Sequence, residues 1–303
     1  MMPSLLFTLT ILFLAVSCSC FSLPQSAPRV SQNSALQAVS DRRAFLVGFG
    51  GVAMASVVGT TGMPAFAAGE KVLVLGGTGL VGAEVVKQLQ RLGVNVVATS
   101  RDGRDGTVAM DFTLVQNVAT NIEELSKGCQ AVISCVGAIG TEQDALVNSA
   151  TGLAAAGAAA AGVDHFVYIS VAPEVRDFAK NFDFLKNYMD GKAFSETSIQ
   201  TYFGKAGKSY TIIEPTFIYG GDEFKVNPPR VATPYGQFVE SILSSTPLRA
   251  VTSIAPEGFL KIALEPPVSS LAVAGACVAG AFGKAPAVLD THDKIIAASR
   301  LIQ

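Results

Sequence analysis

From residue 71 to residue 93 the chain reads KVLVLGGTGLVGAEVVKQLQRLG, and few folds accommodate that order of residues. The run 71–75 is apolar and rich in valine, which predicts a strand. Glycines follow at Gly76, Gly77, Gly79 and Gly82, after which the apolar residues recur at helical spacing. A strand, a glycine turn and a helix in succession make a cradle for a dinucleotide's pyrophosphate. Gly76 permits the tight turn, Gly79 lets the backbone approach the anion, and Gly82 lets the helix pack against the strand. The helix start then offers unpaired N–H groups to the negative charge. Gly76, Thr78, Gly79, Leu80, Val81 and Gly82 are therefore the first candidate binding residues.

Strands and helices keep alternating downstream. Strands are predicted at 94–99, 108–113, 130–140, 165–170 and 210–215, with helices over 148–161 and most of 178–203. That rhythm predicts an α/β fold, a doubly wound parallel sheet of the Rossmann type. Residues 216–265 mix prolines with short apolar runs and are expected to form a small substrate-side lobe. The second strand ends in Ser100-Arg101, where an enzyme using NAD would carry an acid for the ribose 2′-hydroxyl. Arg101, with Arg104 nearby, suits a 2′-phosphate instead, so NADP is expected in preference to NAD.

The motifs VLGGTGLVG, VISCVGAIG, GVDHFVYISVA, YMDGKAFSE and YTIIEPTFIYG occur in this order over residues 71–302. Together with the GxxGxxG spacing, they resemble short-chain dehydrogenase/reductases of the extended and atypical kinds. Those include plastid Rossmann proteins and the NADPH-holding accessory subunit of respiratory complex I. The resemblance implies that Asp111 and Phe112 lie on the adenine side, that Val136 and Gly137 bind the cofactor, and that Pro215 fits the turn beside the nicotinamide. It also implies a proton-transfer pair, Tyr188 and Lys192. Four residues apart on a helix, they share a face. The lysine would hold the nicotinamide ribose and lower the tyrosine pKa, while the tyrosine exchanges a proton with a substrate oxygen.

The family's catalytic hydroxyl is displaced in this chain. Ser170 closes the fifth strand, but the usual positions one or two residues later hold Val171 and Ala172. Ser134 is placed for a cofactor contact, Asn148 is either the family's helix asparagine or a cap, and Glu214 stands where many relatives have arginine. Two classes of function follow. One is an NADP-dependent oxidoreductase acting on a carbonyl, quinone or pigment-related small molecule. The other is a non-catalytic, NADPH-binding scaffold or assembly factor of a thylakoid complex.

The first 67 residues read as successive addresses. Residues 1–20 have the apolar core of a signal peptide, and 21–41 have the serine-rich, acid-free character of a transit peptide up to Ser40. Residues 42–67, from Arg42-Arg43 to Ala65-Phe66-Ala67, resemble a twin-arginine thylakoid-transfer signal. This order resembles the presequences of algae with red-type complex plastids. It points to the thylakoid lumen, with the stroma or a membrane anchor over 44–67 as alternatives and a mitochondrion disfavoured. Residues 68–303 would be the working domain. Only about 14 Å of chain could separate the cut site from a central strand, which favours release over anchoring.

Composition excludes other classes. A net charge of −2 lacks the basic footprint of a nucleic-acid binder. Two histidines, His165 and His292, and five scattered cysteines offer no metal-ligand spacing. Beyond residue 67 no run looks able to span a bilayer. The apolar stretches 148–163 and 267–283 fit buried helices.

Overall fold

The computed structural model describes residues 70–222, 231–246, 248, 249, 252 and 259–302. The three expected targeting segments and parts of the 216–265 lobe lie outside these residues. Strands β1 (Lys71–Leu75), β2 (Asn95–Ser100), β3 (Val108–Ala109), β4 (Cys129–Ser134), β5 (His165–Ile169), β6 (Ser209–Ile213) and β9 (Val288–Leu289) form one sheet. Its order is β3-β2-β1-β4-β5-β6-β9, and every pairing is parallel. The expected doubly wound α/β architecture is the one observed.

The strand residues explain why both faces are covered. Val72 to Leu75, Ala131 to Ile133 and Phe166 to Tyr168 are fully buried, as central parallel strands must be. Side chains alternate between two cores. Val72 and Val74 face helices α1 (Gly82–Arg91), α8 (Ser270–Ala281) and α9 (His292–Ser299). Leu73 and Leu75 face α2 (Val115–Leu125) and α3 (Asp144–Ala160). The alanine-rich stretches are thus core helices, and no helix among the described residues is long and apolar enough to cross a membrane. Small residues there set close approach: a methyl at Gly157 would lie 2.2 Å from the Ala119 carbonyl oxygen on α2.

Some boundaries differ from the sequence expectation. The third strand stops at Ala109 because the Asp111 carboxylate accepts the Thr113 N–H at 2.9 Å and turns the chain. The fourth stops at Ser134, and the glycine-bearing residues 135–140 form a loop. The predicted helix 178–203 is two helices, α4 (Pro173–Ala179) and α5 (Asp183–Ile199), followed by a π-type turn Gln200–Gly204. Pro173 favours the start of α4 because a first-turn N–H has no helical partner to lose.

The C-terminal lobe contains a two-stranded sheet, β7 (Ile218–Tyr219) with β8 (Val268–Ser269), and helices α6 (Thr233–Leu243) and α7 (Phe259–Leu264). A polar chain ties it to α9: the Tyr219 hydroxyl donates to Glu240, and His292 Nε2 meets Glu240 Oε1 at 2.9 Å. Arg249 bridges Glu265 at 2.9 Å and Asp293 at 2.6 Å.

Candidate cofactor and active site

The glycine turn is fixed from beneath by β2. The Gly76 N–H donates to Thr99 Oγ1 at 3.3 Å and the Gly77 N–H to the Thr99 carbonyl at 2.8 Å. Gly76 has φ +74, the left-handed region that glycine tolerates best. Gly82 is where a side chain is least possible, since a methyl there would sit 2.1 Å from the Gly76 carbonyl oxygen. Gly77, which has no place in the GxxGxxG spacing, abuts Ala98: a methyl on it would lie 2.7 Å from the Ala98 Cβ. Gly79 is different. A methyl there would meet only the Gly76 carbonyl, at 3.3 Å, so its other side is open. No side chain caps the start of α1, leaving first-turn N–H groups to face that opening.

Beside the turn, Arg104 reaches back from the loop after β2 and donates to Thr78 Oγ1 at 3.3 Å. It also pairs loosely with Asp102 at 3.8 Å. Arg101 is exposed, and its charge helps hold the Asp111 carboxyl below its usual range, after the two hydrogen bonds from Thr113. Phe112 is buried. The Ser100 hydroxyl is occupied within the loop, donating to Asp102 at 3.2 Å and accepting from Thr107 at 2.7 Å. Arg104 therefore stands at the glycine turn, and Arg101 follows β2 within electrostatic reach of Asp111.

At the other end of the cleft, α5 presents Tyr188, Lys192 and Glu196 at four-residue spacing. Lys192 is buried, with Nζ donating to the Ile169 carbonyl at 2.8 Å and lying 4.8 Å from the Tyr168 ring centroid and 5.6 Å from that of Tyr188. Burial pulls its pKa down to about 8, although Glu196 acts in the other direction. Tyr188 is pushed up to about 12, first by burial and then by the charge of Asp144. The opposing pull on Tyr188 comes from Arg176. The expected relief from Lys192 is not seen, because its ammonium is turned onto Ile169.

Asn148 sits inside α3 and is not a cap. Its Nδ2 donates to the Ala138 and Asp144 carbonyls, each at 2.7 Å, while its buried Oδ1 has no partner among the described residues. A methyl on exposed Gly137 would lie 3.4 Å from that Oδ1 and 3.6 Å from Lys192 Nζ. An acceptor and a donor thus converge beside an open backbone, which suits a ribose hydroxyl. Val136 packs under Gly76, and buried Pro215 accepts the Ala172 N–H at 3.2 Å across the ends of β5 and β6. These residues fit a dinucleotide.

Two serines do other work. Ser134, expected at the cofactor, is buried and bonded to Thr151 Oγ1 at 2.8 Å. Even-numbered residues at this end of β4 face α3 rather than the cleft. Ser170 donates its hydroxyl proton to Glu196, so that proton is not available to a substrate oxygen. Arg176, on α4, completes the cluster. It pairs with Glu196 at 2.6 Å and with Glu214 at 3.0 Å, and donates to the Val171 carbonyl at 2.9 Å. Sequence reasoning registered Glu214 only as a departure and missed Arg176 and Glu196. The one available signal was Glu196 continuing the Tyr188–Lys192 spacing.

This cluster has a pH signature. Burial, followed by repulsion from Glu196, raises the Glu214 pKa to about 6, so the folded protein binds that proton more tightly than the unfolded chain. His292 is also held above its ordinary value: burial opposes the charged ring, but the hydrogen bonds with Glu240 and Asp293 outweigh it. Both groups favour the folded state at lower pH, Glu214 as pH falls through about 6 toward 4.5 and His292 below its raised pKa. The Glu214 contribution, up to about 2 kcal/mol, should therefore be lost as pH rises from ~5 to ~7, against an opposite contribution from His165, whose pKa burial lowers. Glu214→Gln should flatten the lower part of the stability curve. An unchanged slope in thermal melts would count against the assignment.

Comparison with known proteins places this geometry. Residues 76–241 match the family model described as NAD(P)H-binding. A relative in Arabidopsis thaliana, described as an uncharacterized chloroplastic protein, is 31% identical over 159 residues. That match covers 50% of this chain and 51% of the relative, so the chain spans about half the length of the curated relative it matches. Among solved structures, the Bordetella bronchiseptica enzyme WbmH in complex with NAD+ is similar over 73% of this chain and 74% of its own, with TM-score 0.49 and 15% identity. MoeE5 in complex with UDP-glucose and NAD is similar over 76% and 81%, with TM-score 0.48 and 18% identity. With over half its length matched to that one model, and with the glycine turn on which such binding depends, the chain belongs to the NAD(P)H-binding family.

Proposed function

We propose that this protein is an NADP-dependent reductase of a plastid, acting on a carbonyl, quinone or pigment-related small molecule. The observation that carries the reading is the pairing of two features of one cleft. Tyr188 and Lys192 stand at one end beside open Gly137, and Arg104 bonds to Thr78 at the glycine turn at the other. Bound NADPH would supply the hydride. Tyr188, kept protonated by burial, would donate its proton to the substrate oxygen, and Lys192 with Asn148 would orient the ribose. A tyrosine pushed to about 12 is a donor at neutral pH and a poor base, which favours reduction over oxidation.

Selection of the phosphorylated coenzyme is assigned to Arg101 and Arg104. Replacing both with alanine should weaken NADPH binding about a hundredfold, roughly 2.7 kcal/mol, while leaving NADH binding nearly unchanged. Titration of each coenzyme by its own fluorescence measures this. Equal losses for NADPH and NADH would sink the selectivity assignment.

A second reading, a non-catalytic NADPH-holding scaffold of a thylakoid complex, is favoured by the committed Ser170 hydroxyl and by Val171-Ala172 in the usual hydroxyl positions. Persistent co-purification with thylakoid complexes, without NADPH consumption, would support it over the enzyme. The plastid assignment draws on the chloroplastic description of the Arabidopsis relative and on the address-like segments before residue 68. Residues 42–67 suggest delivery to the lumen. Sequencing the N-terminus of the native protein tests this: a start near residue 68 fits release, and a start before 42 fits an anchored or stromal form.

A further inference from the structure

His292 is the first residue of α9, and both of its ring nitrogens face carboxylates. Nε2 lies 2.9 Å from Glu240 Oε1 on α6, and Nδ1 lies 3.1 Å from Oδ1 of the neighbouring Asp293. An ionised carboxylate only accepts hydrogen bonds, and a neutral imidazole donates from one nitrogen alone. Both contacts are therefore satisfied only by the imidazolium, which carries an N–H on each nitrogen. The ring is buried, while the Asp293 side chain is exposed. The cofactor reading uses neither His292 nor its partners.

From His292 the contacts run on to the glycine turn. Glu240 also accepts the hydroxyl proton of Tyr219 on β7. Helix α6 lies directly on the Tyr219 ring, which a methyl at Gly236 would overlap. The next residue, Gly220, abuts the turn itself: a methyl there would be 3.3 Å from Leu80 Cδ1. The other charged groups around His292 are held in one state. Burial works against the Glu240 and Asp293 charges, but hydrogen bonds from His292, Tyr219 and Arg249 hold both carboxyls below their ordinary range. Arg249 bonds Asp293 at 2.6 Å and Glu265 at 2.9 Å, and Asp290 is paired with Lys294 at 2.7 Å. Glu214, at the end of β6, is engaged by Arg176 at 3.0 Å, and Arg300 beyond α9 is exposed. Helix α8 and strand β8, packed against α9, bring only Cys277, whose thiol burial pushes well up. Burial and the helix start both disfavour a cation at His292. The carboxylates outweigh burial and hold its pKa above the ordinary histidine value.

We propose that His292 is a pH-operated latch: doubly protonated, it holds α6 and β7 of the C-terminal lobe over the glycine turn, and on losing one proton it loosens that hold. Neutral His292 can donate to Glu240 or to Asp293, but not to both. The contact left over sets a nitrogen lone pair against a carboxylate oxygen, and the surviving bond loses the attraction of the ring's charge. Bonds to charged partners are the stronger kind, so the lobe should open roughly three- to tenfold more often once the charge is gone. The sign follows from the cation being the form that the closed lobe favours, so the latch is tight at low pH and slack at high pH. Because Gly220 stands on Leu80, a tight latch would also slow the departure of a coenzyme from the turn. That consequence rests on the proposed NADPH site, whereas the latch does not.

The chain has only two histidines, so nitrogen-15 labelling of histidine in the full-length protein resolves His292 from His165 by NMR. His292 should carry two protons at about pH 5.5 and lose one above the ordinary histidine range, while His165, which burial disfavours as a cation, titrates below it. Amide exchange in α6 and β7, corrected for the intrinsic effect of pH, should be roughly three- to tenfold faster at about pH 8.5 than at about pH 5.5. Its midpoint should follow that of His292. In His292→Gln, which takes up no proton, the corrected exchange should be the same at both. Asp293→Asn alters only an exposed side chain, and it should lower the His292 midpoint and the exchange midpoint together. A His292 already neutral at about pH 5.5 overturns the proposal. So does an α6 whose exchange keeps the wild-type pH dependence in both variants. NADPH should leave the wild type more slowly at the lower pH, and the difference should vanish in His292→Gln. Equal departure rates beside a titrating lobe would overturn the guarding of the turn. Absence of NADPH binding at every pH would overturn the proposed function and leave the latch standing.

Discussion

Gly82→Ala should leave the protein unable to hold NADPH at concentrations that saturate the wild type. The added methyl would lie 2.1 Å from the Gly76 carbonyl oxygen, 2.9 Å from its carbon and 3.1 Å from Gly77 Cα. All three are backbone atoms, so no side-chain rotation relieves the overlap. The start of α1 must move away from the end of β1. That shift displaces the first-turn N–H groups on which the pyrophosphate would rest, and charge-assisted bonds to such an anion are worth about 1.5–3 kcal/mol each. Losing even one or two weakens binding by roughly a hundredfold or more. Overpacking also costs about 1–3 kcal/mol of stability, so a damaged fold must be distinguished from a damaged site. Gly157→Ala separates them. Its methyl would come equally close to a carbonyl, 2.2 Å from Ala119, but between α2 and α3, away from the turn. Both variants should melt at lower temperature, and only Gly82→Ala should lose NADPH affinity in a fluorescence titration. If both bind normally below their melting temperatures, the turn does not hold the coenzyme.

The contrast between Gly82 and Ser170 marks how far the sequence could be read. Glycine spacing after an apolar strand reports on backbone geometry, and backbone geometry is local. The turn, the central strands and the burial of the alanine-rich helices were therefore legible. The Tyr188–Lys192 face was legible for the same reason, since helical periodicity fixes which residues share a side. What failed depended on long-range contact. Ser170 looked like a displaced catalytic hydroxyl until Glu196, twenty-six residues later, was found to accept its proton. Ser134 looked like a cofactor contact, but strand alternation turns it onto Thr151. Arg176 carried no local signal: its partners Glu196 and Glu214 come from another helix and from the end of another strand. The expectation that Lys192 lowers the Tyr188 pKa failed similarly, because spacing puts the side chains on one face without fixing where the ammonium points.

Tyr188→Phe is expected to abolish reductase turnover while leaving NADPH affinity within about twofold of the wild type. The substitution removes one oxygen from a half-buried ring. The Ser170 hydroxyl cannot replace it, since it gives its proton to Glu196. Proton donation is then left to water, a loss of about 10²–10⁴ in kcat. Lys192→Met should behave differently. It deletes the donor facing Asn148 Oδ1 across the space beside Gly137, so NADPH affinity and turnover should fall together. In the wild type, turnover should decline as pH rises past about 8, where burial makes the ammonium give up its proton. Tyr188, at about 12, stays protonated across that range and adds no second break. Glu196→Gln removes the charge that props up the Lys192 ammonium, so the decline should begin at lower pH. These profiles require a turning-over substrate, found by screening carbonyl compounds and quinones against NADPH oxidation. If Tyr188→Phe oxidises NADPH with such a substrate at the wild-type rate, the proton comes from elsewhere and the active site has been misassigned.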